Sequence, residues 1–160
     1  MTLADFRMPR LGPSIVRRHA LEEWLLRFKG APVRFLIAPP GFGKAMAILG
    51  YLQHLENPGA YCALSPGSDP ESFWNSMACA LGIEAGLSSH DELSHALAAK
   101  APLEVAIDCE GVPDAEGAAA VLRLVRDLPD DVSLLIACRS REPFNVTRLV
   151  GEGVAVLCGP

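Results

Sequence analysis

Val33-Arg34-Phe35-Leu36-Ile37-Ala38-Pro39-Pro40-Gly41-Phe42-Gly43-Lys44-Ala45-Met46-Ala47-Ile48-Leu49 is the stretch that decides the fold. Its first five residues form a short apolar run that reads as a buried strand. A turn with two prolines, two glycines and a lysine follows, and Ala45 to Leu55 reads as a helix. Strand, glycine-rich turn and helix are the context in which a GxxxxGK[ST] phosphate loop, or Walker A motif, works. The glycines let backbone N–H groups converge on phosphate oxygens, the helix N-terminus adds a positive dipole end, and the lysine reaches the β- and γ-phosphates. Pro40, Gly41, Phe42, Gly43, Lys44 and Ala45 are therefore the predicted phosphate-binding residues. Two positions depart from the pattern: Ala38 stands for the first glycine, and Ala45 for the hydroxyl residue that would ligate Mg²⁺. Out of context a Gly-Phe-Gly-Lys turn is an ordinary tight turn; the flanking strand and helix favour the phosphate loop.

Working outward, apolar runs alternate with amphipathic stretches. Ile15 to Phe28 has Leu21, Trp24, Leu25 and Phe28 at helical spacing, and Gly30 and Pro32 end it. Ala60 to Leu64 is a second predicted strand, followed by a turn around Pro66 to Pro70 and a helix from Glu71 to Leu81. Phe73, Trp74 and Trp24 read as core packing rather than ligand stacking. Ser89 to Lys100 is a further helix, with Ser89 as N-cap and Glu92 completing a capping box. Leu103 to Asp108, Ser133 to Cys138 and Gly153 to Leu157 are strands, with a helix from Asp114 to Leu128 between the first two. Five strands separated by helices predict an α/β fold, a parallel sheet covered on both faces. In such sheets ligands bind beyond the carboxyl ends of the strands.

Composition agrees. The 160 residues amount to one domain, half of them apolar, with a mean hydropathy of +0.24. No apolar run approaches the roughly 20 residues that cross a bilayer, and the N-terminus lacks the apolar stretch of a signal peptide, so a cytoplasmic protein with no membrane partner is expected. The five cysteines include no CxxC pair and the four histidines no metal-ligand spacing, which predicts reduced, buried thiols and no zinc. The formal charge of -5 is unevenly spread. Residues 1–44 hold eight Lys/Arg against three Asp/Glu, a net +5, and residues 45–160 hold six against sixteen, a net -10. Such a chain is a poor candidate for direct nucleic-acid binding. The basic end is either a solvated arm or a phosphate-facing one.

Pro9-Arg10-Leu11, Val16-Arg17-Arg18 and the loop itself are followed by Asp69-Pro70-Glu71-Ser72-Phe73-Trp74, Ile107-Asp108, Leu128-Pro129 and Ala137-Cys138-Arg139-Ser140-Arg141-Glu142-Pro143. This succession, spanning nearly the whole chain, resembles the P-loop ATPase domain of STAND-class bacterial transcription activators of the maltose-regulator and LuxR type. The resemblance implies a three-layer P-loop NTPase core of RecA/AAA-like kind over residues 1–160, with sheet order 5-1-4-3-2. It makes ATP or ADP the ligand. Asp108 then matches the Walker B aspartate that holds Mg²⁺ through water, although a strand-end aspartate capping a turn is the plain alternative. Arg139 matches a sensor of the γ-phosphate. Residues 1–30 would pack ahead of the loop, with Arg17 and Arg18 either contacting nucleotide or forming an exposed pair. The chain would be a piece of a larger regulator without its DNA-binding domain, and its partners other domains or subunits of that regulator. Ala38 is common at its position in the family.

The departures shape the expected function. Cys109 stands where the family places a second acidic residue, and Glu110 one step further is either a displaced catalytic base or a solvated turn residue, the latter favoured. Without the hydroxyl at position 45 and the acid at 109, a metal ligand and the water-polarising carboxylate are missing. Mg²⁺ binding should be weakened and hydrolysis slow or absent, leaving a nucleotide-binding sensor domain. The alternative is a degenerate P-loop domain that binds no nucleotide and acts through protein–protein interaction; an active hydrolase with another metal arrangement is a third reading.

Overall fold

Aliphatic runs too short for helices and bounded by turn residues form the strands, and the longer mixed stretches between them form the helices. A computed structural model describes residues 19–41, 43–57 and 59–158. In chain order these are α1 (His19–Arg27), β1 (Val33–Ile37), α2 (Lys44–Gln53), β2 (Gly59–Leu64), α3 (Pro70–Leu81), α4 (His90–Lys100), β3 (Leu103–Cys109), α5 (Ala115–Arg126), β4 (Val132–Cys138), a 3₁₀ turn (Glu142–Phe144), α6 (Val146–Gly151) and β5 (Val156–Cys158). The strands form one parallel sheet in the order β2-β3-β4-β1-β5, which is the expected 5-1-4-3-2 read from the other edge. The register sets Leu36 beside Ala137, Ile107 beside Ile136 and Asp108 beside Ala137.

Alternation along each strand divides the side chains between two cores. Leu36, Ala106, Leu135 and Ala137 meet Leu25 of α1 and Ile48, Tyr51 and Leu52 of α2. On the other face Phe35, Val105, Ile107, Leu134 and Ile136 pack with Phe73, Met77 and Leu81 of α3, Leu93 and Leu97 of α4, and Val121 and Leu124 of α5. Phe73 is fully buried, as its core reading requires. The result is a three-layer α/β fold. No helix among the described residues is long and apolar enough to cross a membrane.

Helix starts follow local chemistry. The Asp69 carboxylate accepts from the Ser72 N–H at 2.8 Å with Pro70 at the first helical position, and Asp114 caps α5 through the Gly117 N–H at 2.6 Å. At α4 the box is displaced by one residue. The Ser89 hydroxyl accepts from the Glu92 N–H at 3.2 Å as expected, but the Glu92 carboxylate accepts from the N–H and hydroxyl of Ser88, not from Ser89.

The fifth strand is shorter than its expected span of 153–157. Gly153 has φ +74°, and the Val154 and Ala155 N–H groups both donate to the Leu149 carbonyl, so the residues read as the start of a strand instead close α6. Neither α6 nor the 3₁₀ turn is predicted by the periodicity, because six and three residues are too few to show one. Residues 15–18 of the first expected helix lie outside the described residues.

One polar cluster lies inside the α1/α2 layer. Arg34 of β1 is fully buried, and its Nη1 donates to the Leu25 carbonyl at 2.7 Å and to the Tyr51 hydroxyl at 3.1 Å. Tyr51 donates to Oε1 of Glu104 at 2.8 Å, and the same carboxylate pairs with the Arg34 guanidinium. Burial pushes the Tyr51 hydroxyl's pKa up, against the pull of the adjacent Arg34. Removing one member strands the other's charge. Arg34→Met or Glu104→Leu alone should each cost about 3–5 kcal/mol in urea denaturation, and the double variant should recover most of that loss. Gly117 sets a second constraint, since a Cβ there would sit 1.9 Å from the Ser68 carbonyl oxygen. Backbone cannot swing aside as a side chain can, so Gly117→Ala should lower stability by about 1–3 kcal/mol in the same assay.

Candidate functional site

The chain leaves β1 through Ala38, whose N–H donates to the Cys138 carbonyl at 3.1 Å and so extends the β1–β4 ladder by one residue. It then turns at Gly41 (φ +79°) and Gly43 (φ +75°) into α2. Both glycines lie in the left-handed region that other L-residues adopt at a cost. At Gly41 an added Cβ would meet nothing within 4 Å, so the demand there is for backbone conformation and not for space. Gly43 is the N-cap of α2 and offers no side-chain acceptor, while its carbonyl takes the Ala47 N–H at 3.0 Å. A helix start without a side-chain cap keeps its donors for an anion.

A cleft of about 370 Å³ lies at the carboxyl ends of β1, β3 and β4. Of the residues predicted from sequence it brings together Pro40, Gly41, Gly43, Lys44 and Ala45 of the loop with Asp108, Glu110 and Arg139 from the strand ends. Phe42, Arg17 and Arg18 lie outside the described residues. The half-buried Lys44 donates from Nζ to the Ala38 carbonyl. Its pKa is lowered, chiefly because burial disfavours the ammonium and secondarily because of Arg139, while Asp108 pulls the other way.

Asp108 is 6% exposed, and its Oδ2 accepts from the Tyr61 hydroxyl at 2.6 Å. Burial first, and the Asp108 hydrogen bond second, push the Tyr61 hydroxyl far above its ordinary pKa. Sequence reasoning missed Tyr61. Its only signal is the β2–β3 register: Ala63 sits beside Asp108, and Tyr61, two residues earlier, shares Ala63's face. It also missed Met46, an exposed apolar side chain on the cleft rim.

Glu110 continues the β2–β3 ladder, its N–H donating to the Leu64 carbonyl at 3.0 Å, and its side chain is exposed at the cleft. Cys109 faces the α3/α5 core and is 1% exposed. A wider groove of about 720 Å³ lies between α3 and α4, bordered by Trp74, Leu87, Glu71 and Glu92. It lies apart from the glycine turn and the strand-end charges. Among the described residues no group of three His, Cys, Asp or Glu side chains is placed to hold a metal ion.

Comparison with protein-family models and with curated proteins gives no match. Among solved structures the fold is similar to Drosophila ORC bound to AT-rich DNA and Cdc6, with a TM-score of 0.53 and 10% sequence identity. The similarity covers 87% of this chain and 55% of that one, so the chain spans about half of that neighbour's length. What is shared is the fold. That fold is a five-stranded parallel sheet between two helical layers, with the glycine turn at the carboxyl end of β1.

Thiol chemistry tests the placement of the strand ends. Cys62, Cys109, Cys138 and Cys158 are buried, and Cys79 is exposed. Burial pushes the Cys62 and Cys138 thiols up to about 12 and Cys109 higher still. A raised pKa leaves them protonated at pH 8, and the thiolate is the reactive form. Ellman's reagent at pH 8 should therefore titrate Cys79 alone in the native protein and all five thiols of the chain in denaturant.

Proposed function

We propose that this chain is the nucleotide-binding domain of a STAND-class, LuxR-type bacterial transcriptional regulator, a sensor that takes ADP or ATP and hydrolyses it slowly or not at all. The observation that carries the reading is the pair of left-handed glycines leading into the uncapped α2, with Lys44 at its head and Asp108 and Arg139 at the same cleft. In this reading the loop and α2 amides grip the phosphates, and Lys44 Nζ exchanges the Ala38 carbonyl for a phosphate oxygen. Arg139, exposed after β4, adds a charge-assisted contact.

The residues present suit a diphosphate and do not suit its usual metal. Ala45 has no oxygen to offer, and Asp108 already accepts a hydrogen bond from Tyr61. At position 109 a buried thiol lies at the floor of the cleft in place of a carboxylate, so no acid there polarises water. The partners implied are other domains or subunits of the regulator. The second reading, a P-loop domain that has lost its nucleotide and serves as an interaction module, draws on the same Ala45 and Cys109.

Calorimetric titration with ADP separates the two. Micromolar binding is expected, weakened about tenfold or more in Lys44→Ala, the size of one lost charge-assisted contact. ATP turnover should not exceed that of Lys44→Ala. No heat from folded protein would overturn the nucleotide reading and favour the interaction module.

A further inference from the structure

We propose that Tyr61 is a positioning residue that holds Asp108 by a hydrogen bond where a hydrated divalent cation would otherwise engage it, so that the cleft takes a nucleoside diphosphate without metal. The inference rests on the nucleotide reading above and goes beyond it, because it assigns the metal independence to a residue of β2 as well as to the missing hydroxyl at position 45.

Three observations converge. The Tyr61–Asp108 contact, at 2.6 Å, has the length of a strong O–H to carboxylate hydrogen bond, and it lies between partners 47 residues apart on adjacent strands. Asp108 is almost wholly buried, so its carboxylate is served by fixed protein groups rather than by bulk water: the Tyr61 hydroxyl by hydrogen bond and the Lys44 ammonium by charge. Finally, the groups that would complete a metal shell are lacking, since Ala45 has no ligand atom and no metal-binding cluster exists among the described residues. The Tyr61 hydroxyl takes one acceptor site of Oδ2 and fixes the rotation of the carboxylate, its ring carried on β2 beside β3. A metal-bound water reaching Oδ2 would compete with this hydroxyl, and its metal would find no hydroxyl ligand at position 45. Restoring a hydroxyl at position 45 alone therefore leaves Asp108 occupied. Removing the Tyr61 hydroxyl as well frees it.

The test compares wild type, Ala45→Thr, Tyr61→Phe and the double variant in two arms, with circular dichroism confirming that each is folded. In the first arm, ADP is titrated with and without Mg²⁺. Wild type should show less than a twofold effect of Mg²⁺ and Ala45→Thr less than threefold, whereas the double variant should bind about tenfold tighter with Mg²⁺, the scale on which groups around a metal ligand tune affinity. In the second arm, Mn²⁺ alone is titrated by electron paramagnetic resonance, and its dissociation constant should be about tenfold lower in the double variant than in Ala45→Thr. A purely packing role for Tyr61, whose ring Tyr61→Phe keeps, would give Ala45→Thr and the double variant the same Mg²⁺ and Mn²⁺ responses, and that equality overturns the proposal. If no variant binds ADP, the nucleotide reading has failed, and the Mn²⁺ arm still decides the role of Tyr61.

Discussion

Arg34 is buried under α1 and α2, and the geometry of the cleft depends on how its charge is met. The guanidinium reaches the Leu25 carbonyl of α1, the Tyr51 hydroxyl of α2 and the Glu104 carboxylate of β3. Those elements, with β1 itself, are the ones that flank the phosphate loop and carry Asp108, four residues beyond Glu104 on the same side of β3. Replacing such a cluster with apolar side chains is often neutral or better for stability, so its presence calls for another explanation. Directional bonds supply one. An apolar plug would let α2 rotate or slide on the sheet at little cost, whereas the Arg34–Tyr51–Glu104 bonds admit one position of α2 relative to β1 and β3. The loop between β1 and α2 inherits that position at both ends.

From there the cleft follows from chain direction. All five strands run parallel, so their carboxyl ends, and the residues just beyond them, gather on one edge. Lys44, Asp108, Glu110 and Arg139 reach that edge from α2, β3 and β4, although up to 95 residues separate them in sequence. Their charges are arranged unequally. Lys44 is held partly out of water with Asp108 as its counter-charge, while Arg139 and Glu110 stay at the mouth. In the proposed reading, a phosphate entering between them would replace the Ala38 carbonyl as the partner of Lys44 and would meet the positive end of α2.

Much of this was legible in the sequence, for identifiable reasons. The span of β1 is readable to the residue because Pro32 and Ala38-Pro39 bound an apolar run, and the start of α4 is legible because the Ser89 cap is local chemistry, while α3 and α5 begin within a residue of their expected starts. The strand order came only through family resemblance, since pairing between distant strands leaves no periodic trace. For the same reason Tyr61 was invisible as a partner of Asp108. Arg34 was hidden differently: the run 33–37 reads as a buried strand without accounting for its charge, and Glu104, which meets that charge, lies on a strand 70 residues away with no local signal linking the two. The mistaken start of the fifth strand came from reading Val154 and Ala155 by side-chain type, when their N–H groups serve α6.

The two departures from the family pattern, at position 45 in the loop and at position 109 at the end of β3, lie in unlike surroundings. Position 45 is partly exposed at the cleft, so a threonine there adds a methyl and a hydroxyl in a place that water reaches. Position 109 is different. Its side chain belongs to the α3/α5 core with Val105, Ile107 and Cys138 while also flooring the cleft, and burial first, with Cys138 and Asp108 adding, drives the thiol's pKa far upward. A carboxylate placed there would lose most of its hydration beside the Asp108 charge, with Lys44 as its one counter-charge, and both burial and the like charge favour its protonated form. A neutral acid cannot polarise water, so restoring the residue type at 109 would not restore a base. The base would have to come from Glu110, which stands on the Asp108 side of the strand, is exposed and keeps its freedom. Where a carboxylate stands at this cleft is therefore set by the local backbone at the end of β3 and not by any single side chain.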